Sequence, residues 1–146
     1  MTVHPSILLI EDSPGERELF RLALKETGVA VSLQTESTAE EAFRYLAKAD
    51  EARPLPSLIL LDLKLGTQHG LDLLRGLRVD ARIRHVPVIV FTTSDDIADL
   101  AACYAAGANG YVTKPDTYEA LLHFITDLHN YWFRWNRSMS SLETEC

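Results

Sequence analysis

Short apolar runs alternate along this chain with stretches of helical periodicity. The most apolar runs are Ile7–Ile10, Leu58–Leu61 and Val86–Phe91, and such runs are typical of strands that are buried on both faces. Weaker strand patterns at 29–35 and 111–113 bring the total to five β-α units. Because strands and helices alternate, we expect an α/β fold with a parallel sheet covered by helices on both faces.

The length of 146 residues predicts one domain with a substantial core. We expect this domain to span residues 1–136, with a polar tail at 137–146. The two cysteines give no disulfide framework, and no apolar run approaches the roughly 20 residues of a membrane span. The N-terminus also lacks the layout of a signal peptide. We therefore expect a cytoplasmic protein without a membrane partner.

The formal net charge of −7 disfavours nucleic acid as a partner, because phosphate binding requires a basic surface. Four arginines are nevertheless grouped in the sequence. We expect them to form a solvated helix face and loop: Arg75, Arg78, Arg82 and Arg84.

Polar residues stand at the ends of four predicted strands. They are Glu11-Asp12 after the first, Asp62 after the third, Thr92 after the fourth and Lys114 after the fifth. The carboxyl ends of parallel strands share one edge, where open α/β sheets bind ligands. Hence these side chains are expected to meet around one crevice.

The residue types predict the chemistry of this crevice. Three carboxylates supply the hard oxygen ligands that Mg²⁺ prefers, and without a metal they would raise one another's pKa. A metal, an ammonium and a hydroxyl together match the oxygens of a phosphoryl group in transfer, with Asp62 as the nucleophile. The alternative is a set of ordinary strand-end polar residues with one structural Lys114–Asp62 pair.

In this combination of residues, the chain resembles the receiver domains of two-component response regulators. The separations between Asp62, Thr92 and Lys114-Pro115 are those usual in the family, and Gly70 matches a glycine eight residues after the aspartate. The resemblance covers about residues 5 to 130. It implies a flavodoxin-like (βα)5 fold, a doubly wound five-stranded parallel sheet in the order 2-1-3-4-5.

The resemblance also implies a mechanism. Asp62 would accept a phosphoryl group from a sensor histidine kinase, with Lys114 and Thr92 at the transfer site. Mg²⁺ would be held by Glu11, Asp12, Asp62 and the backbone carbonyl of Lys64.

The response to phosphorylation is likewise implied by the resemblance. Thr92 would move toward the phosphoryl group and Tyr111 would turn inward. These movements would shift the populations of the conformations of the helix 4/strand 5/helix 5 face. Tyr111 has an alternative role as a strand aromatic that packs on the core. The protein would be a phosphoacceptor switch with only self-catalysed phosphotransfer and autodephosphorylation, not a turnover enzyme.

Two positions depart from the family pattern. Gly66 occupies the place four residues after Asp62 where proline is common, which predicts a more mobile loop. Lys64 follows Asp62 by two residues. Its ammonium either faces solvent or tunes the lifetime of the acyl phosphate, and the dephosphorylation rate of Lys64→Ala distinguishes the two.

Aromatic residues cluster at the end of the last predicted helix: Tyr131, Trp132, Phe133 and Trp135. An exposed cluster would indicate an interface, and the alternative is that the rings fold back on the core. The pattern is similar to that of stand-alone regulators paired with bacterial phytochromes. That similarity implies a bacteriophytochrome kinase as partner and a homodimer through the C-terminal helix and the helix 4/strand 5 face.

Three other functions each match part of this pattern. A docking receiver that is not phosphorylated would not need the full set of acceptor, metal and lysine positions. A Mg²⁺-dependent phosphohydrolase of the haloacid dehalogenase type would carry a second aspartate two residues after the nucleophile, where this chain has Lys64. A nucleotide or flavin binder would need a phosphate loop after the first strand, and Glu11-Asp12 would repel a phosphate there.

Overall fold

The computed structural model describes residues 4–137, so the predicted tail lies outside the described residues from position 138 onward. Five parallel strands form one sheet: β1 (Ser6–Ile10), β2 (Ser32–Glu36), β3 (Leu58–Leu61), β4 (Val88–Thr92) and β5 (Gly110–Thr113). Their order in the sheet is β2-β1-β3-β4-β5. This order confirms the predicted fold.

Five α-helices connect and follow the strands. The last one continues without a break into a π-helix at His129–Trp135. None of the helices within residues 4–137 is long and apolar enough to cross a membrane. The α-helices are α1 (Pro14–Thr27), α2 (Ala39–Ala47), α3 (Gly70–Val79), α4 (Ile97–Ala105) and α5 (Tyr118–Leu128).

The apolar runs are buried on both faces of the sheet, as the sequence predicts. In β3, Ile59 and Leu61 pack with α2, α3 and α4, whereas Leu58 and Leu60 pack with α1 and α5. The alternation follows from the two-residue period of a strand. Helices cover both faces of the sheet, so a ligand would bind at the carboxyl ends of the strands.

The aromatic cluster of the C-terminal helix divides between the two predicted arrangements. Trp132 and Phe133 fold back and pack on the core between the sheet, α1 and α5. Tyr131 and Trp135 point outward, with 57% and 73% of their surfaces exposed. Part of the cluster therefore stabilises the domain, and part is available at the surface.

Arg78 is not the solvated side chain that the sequence predicts. Its half-buried guanidinium donates to the carbonyls of Gly107 (2.9 Å), Arg84 (2.9 Å) and Val86 (2.8 Å), and to Asn109 Oδ1 (2.6 Å). Burial lowers its pKa. The prediction was wrong because acceptors from two separate segments, residues 84–86 and 107–109, converge on this one side chain, which ties α3 to the loops before β4 and β5.

Candidate functional site

Strand register brings the predicted acidic residues together. Ile10 of β1 pairs with Leu61 of β3, so the next residues, Glu11 and Asp62, leave the sheet side by side. The Asp62 N–H still donates to the Ile10 carbonyl at 3.1 Å, which holds the two strand ends in place. Both carboxyl side chains are buried.

Asp12 completes the acidic group. Carboxylate oxygens of Glu11, Asp12 and Asp62 all lie within 4.8 Å of one another. Three carboxylate oxygens at this spacing fit a hard divalent cation that prefers oxygen ligands, so the donor set is suited to Mg²⁺. The predicted fourth ligand, the backbone carbonyl of Lys64, stays a prediction.

Lys114 reaches the acidic group from the end of β5. Thr92 pairs with Thr113, and this register puts Lys114 at the same edge of the sheet. Its ammonium donates to Asp62 Oδ2 at 3.2 Å and to Glu11 Oε1 in a short contact. The structure therefore contains the Lys114–Asp62 pair of the simpler interpretation, but as one part of a larger cluster.

The pKa values of Glu11 and Lys114 are both raised in this cluster. Burial, with smaller contributions from Glu16 and Asp62, raises the pKa of Glu11 to about 9, although Lys114 acts in the opposite direction. Burial also disfavours the charge on Lys114, but the carboxylates of Glu11 and Glu16 outweigh it and raise the pKa of that ammonium. A divalent cation would favour the ionised form of these carboxyls.

The backbone after Asp62 is held by two glycines. Gly70 is the first residue of α3, and its N–H donates to the Leu63 carbonyl at 2.7 Å. A Cβ on Gly70 would lie 2.3 Å from the Asp62 carbonyl oxygen, so helix and loop can approach this closely only without a side chain. The glycine that the family resemblance rests on thus has a steric reason here.

The backbone conformation and the hydrogen bond of Gly66 explain why proline, usual in the family, is absent at this position. It opens the turn of a small hairpin, Lys64–Leu65 with Gln68–His69, and has a φ of 64°. Proline is fixed near −65° and has no N–H, whereas the Gly66 N–H donates to Asp12 Oδ2 at 2.9 Å. The loop has ordered pairing of its own, and the greater mobility expected from Gly66 stays a prediction.

Lys64 lies in the first strand of this hairpin. Its N–H donates to Asp62 Oδ1 at 3.3 Å, so each oxygen of Asp62 accepts one hydrogen bond from the protein. The Lys64 residue is exposed. Its effect on the lifetime of a phosphorylated state stays a prediction.

Thr92 and Tyr111 are connected through Ser94. The Ser94 N–H donates to the buried Thr92 Oγ1 at 3.3 Å, and the Tyr111 hydroxyl donates to the Ser94 carbonyl at 2.9 Å. The Ser94 hydroxyl donates to Asp99 of α4 at 2.6 Å. Ser94 therefore links three elements through its hydrogen bonds: the end of β4 at Thr92, the middle of β5 at Tyr111 and the start of α4 at Asp99.

Sequence reasoning missed Glu16. This α1 residue accepts a hydrogen bond from Lys114 Nζ at 3.0 Å. Ser13 and Glu16 stand three apart, which is the capping-box pattern, so the local signal directs Glu16 back to Ser13 rather than across to Lys114. The contact depends on tertiary structure and has no local signature.

Comparisons with known proteins agree with this geometry. The response regulator receiver domain family matches residues 7–126. A probable methanogenesis regulatory protein, FilR2 of Methanothrix harundinacea, is 33% identical over 133 residues, which are 90% of this chain and 86% of that protein. The response regulator Rcp1 of Synechocystis is 30% identical over 128 residues, or 86% of this chain and 87% of Rcp1.

Solved structures give the same result. The phosphorylated cyanobacterial phytochrome response regulator RcpA superposes with a TM-score of 0.84 at 28% identity, over 94% of this chain and 99% of that one. The bacteriophytochrome response regulator AtBRR has a TM-score of 0.70 at 33% identity, over 93% and 100% of the two chains. With the match over most of its length, and with an acidic pocket that fits a phosphoacceptor site, this chain belongs to the response regulator receiver family.

Proposed function

We propose that this protein is a stand-alone response regulator in which Asp62 accepts a phosphoryl group from a sensor histidine kinase. The observation that carries the proposal is the convergence of three carboxylates and Lys114 on one edge of the sheet. Relatives of similar length, FilR2 and Rcp1, support the stand-alone arrangement. A kinase that acts in the cytoplasm would place this protein there as well.

The transfer requires little from the protein beyond positioning and charge. A carboxylate oxygen of Asp62 attacks the phosphorus of a phosphohistidine, the P–N bond breaks as the P–O bond forms, and the imidazole leaves and takes up a proton. Lys114 lies against Asp62 and stabilises negative charge on the transferring oxygens. Thr92 ends the neighbouring strand and supplies a hydroxyl at the same edge.

Glu11, Asp12 and Asp62 would hold Mg²⁺, together with the carbonyl of Lys64. When bound, the ion would neutralise charge on the acidic group and on the phosphoryl oxygens. A Mn²⁺-bound form of the similar response regulator Rcp1 supports binding of a divalent cation.

Phosphorylation would be transmitted through the Thr92–Ser94–Tyr111 connection. A movement of Thr92 toward the phosphoryl group changes the hydrogen bond that Thr92 Oγ1 accepts from Ser94. Ser94 also holds Tyr111 and Asp99, so the same change reaches β5 and α4. We take this to be the route by which the α4/β5/α5 face changes its populations.

That face would bind a second copy or another partner. Exposed apolar side chains on α4 and at the C-terminal helix support this proposal. Similarity to AtBRR and to the bacteriophytochrome response regulator RtBRR supports a bacteriophytochrome kinase as the phosphodonor. The exposed residues are Ile97, Leu100, Tyr104, Tyr131 and Trp135.

Intact mass spectrometry tests the phosphoacceptor. We expect incubation with Mg²⁺ and acetyl phosphate to add one labile phosphoryl group to the wild type and none to Asp62→Asn. Absence of an adduct, with a cognate kinase as well, would instead support a receiver that only docks partners. Sustained release of phosphate from many substrates would support the phosphohydrolase.

Sedimentation velocity tests the dimer. We expect the phosphorylated protein to form a dimer that Trp135→Ala weakens, because that ring is 73% exposed at the proposed interface. An unchanged monomer at all concentrations and in both phosphorylation states would refute the dimer without affecting the role of Asp62.

A further inference from the structure

Lys114 has three carboxylate partners, and they differ in their exposure to water. Nζ contacts Glu11 Oε1, Asp62 Oδ2 at 3.2 Å and Glu16 Oε2 at 3.0 Å. The Glu11 and Asp62 side chains are 3% and 9% exposed, whereas that of Glu16 is 46% exposed. Glu16 is therefore the partner that water can most easily replace.

The position of Glu16 in its helix makes this contact unexpected. Ser13 is the N-cap of α1, and its hydroxyl accepts from the Glu16 N–H at 3.3 Å. In a capping box the glutamate would in turn accept from the Ser13 N–H. Here that N–H donates to Glu11 Oε2 at 3.4 Å, so the Glu16 carboxylate is left to reach Lys114.

The limited number of N–H donors on Lys114 means that its carboxylate partners and a phosphoryl group on Asp62 would compete for it. An ammonium has three N–H donors, and three carboxylates already occupy them. A phosphoryl group on Asp62 brings new acceptor oxygens and negative charge to the same ammonium. One existing contact must give way, and the half-exposed Glu16 loses least when it is released into water.

We propose that Glu16 is a positioning residue that competes with the phosphoryl group for Lys114. It holds the ammonium toward α1 before phosphorylation and releases it when the phosphoryl group arrives. Its negative charge also opposes the approach of an anionic phosphodonor. This inference rests on the proposed function, because it requires phosphorylation at Asp62.

The test compares initial rates of labelling by acetyl phosphate at saturating Mg²⁺, measured by intact mass. In this reaction an Asp62 oxygen attacks phosphorus, and the bond from phosphorus to the acetyl oxygen breaks to release acetate. We expect Glu16→Gln to raise the rate about two- to fivefold, the range for loss of a partly exposed ion pair. Glu16→Ala, which removes the acceptor as well as the charge, should raise it at least as much.

Glu18→Gln is the matched control. It removes the same charge from the same helix, but Glu18 pairs with Arg21 at 3.5 Å on the exposed face of α1. We expect it to label at the wild-type rate. Glu18→Gln should keep the wild-type unfolding midpoint, and both Glu16 variants should remain folded under the labelling conditions.

Affinity for beryllofluoride, a non-covalent mimic of the phosphoryl group, supplies a readout that a merely structural role would not move. Followed by ¹⁹F NMR, it should tighten about two- to fivefold in Glu16→Gln and stay unchanged in Glu18→Gln. Wild-type or lower rates and affinities in Glu16→Gln would overturn the inference. A wild type that takes no phosphoryl group would overturn the proposed function instead.

Discussion

Substitution of Gly70 by alanine should disturb both the stability of the fold and the position of Asp62. In Gly70→Ala the new Cβ would lie 2.3 Å from the Asp62 carbonyl oxygen and 2.9 Å from Leu63 Cα. An ordinary carbon contact is about 3.5 Å, so the backbone must move by roughly 1 Å. The obstructing atoms are backbone, and no change of rotamer can relieve the overlap.

The expected loss of stability follows from two opposing terms. Overpacking of a close-packed site destabilises by about 1–3 kcal/mol, occasionally more. Alanine is favoured over glycine in a helix by up to about 1 kcal/mol, which offsets part of this at the first residue of α3. We expect a net loss of about 2 kcal/mol in the free energy of unfolding.

The effect on phosphorylation should be larger than the effect on stability. The atoms that must move belong to Asp62 itself, and a displacement of about 1 Å at a reacting group can slow a reaction about 100-fold. We expect the initial rate of labelling by acetyl phosphate to fall at least tenfold in Gly70→Ala, under conditions where the variant remains folded.

Urea unfolding and intact mass measure the two effects separately. At a slope of about 2 kcal/mol per molar urea, the midpoint should fall by about 1 M. Gly15→Ala is the matched control, because its Cβ would meet nothing closer than Ser13 Oγ at 3.9 Å. We expect this control to be as stable as the wild type or slightly more so. A Gly70→Ala protein with wild-type stability and wild-type labelling would refute the steric argument.

Three further substitutions test other contacts. Gly66→Pro, which restores the usual family residue, should destabilise by more than about 1 kcal/mol and weaken Mg²⁺ binding in calorimetry, because proline cannot adopt a φ of 64° or donate to Asp12; unchanged Mg²⁺ affinity would contradict this. Arg78→Lys should lower the free energy of unfolding by about 2 kcal/mol in urea, since one ammonium cannot serve four acceptors; an unchanged midpoint would show that those bonds contribute little. Trp132→Ala should destabilise by about 2–3 kcal/mol and Trp135→Ala by less than about 0.5 kcal/mol, because only the first packs on the core; equal losses would contradict the division of the aromatic cluster.

The sequence by itself determined the sheet and the location of its site. The run from Leu58 to Leu61 is apolar at every position, so this strand must be buried on both faces, and in a chain of alternating strands and helices the helices provide that cover. A parallel sheet then gathers the residues after its strands at one edge. Asp62 and Lys114 could be assigned to one crevice for this reason, without knowledge of any contact between them.

Tertiary structure decided which side chains meet across long separations. Glu16 and Lys114 are 98 residues apart, and the local pattern around Ser13 assigns Glu16 to a different partner. Arg78 looked solvated because its four acceptors lie between 6 and 31 residues away and form no local pattern with it. Gly70 showed no steric role until α3 was placed against Asp62. Periodicity and strand ends are local properties of a chain, whereas these contacts depend on how helices and loops are oriented on the finished sheet.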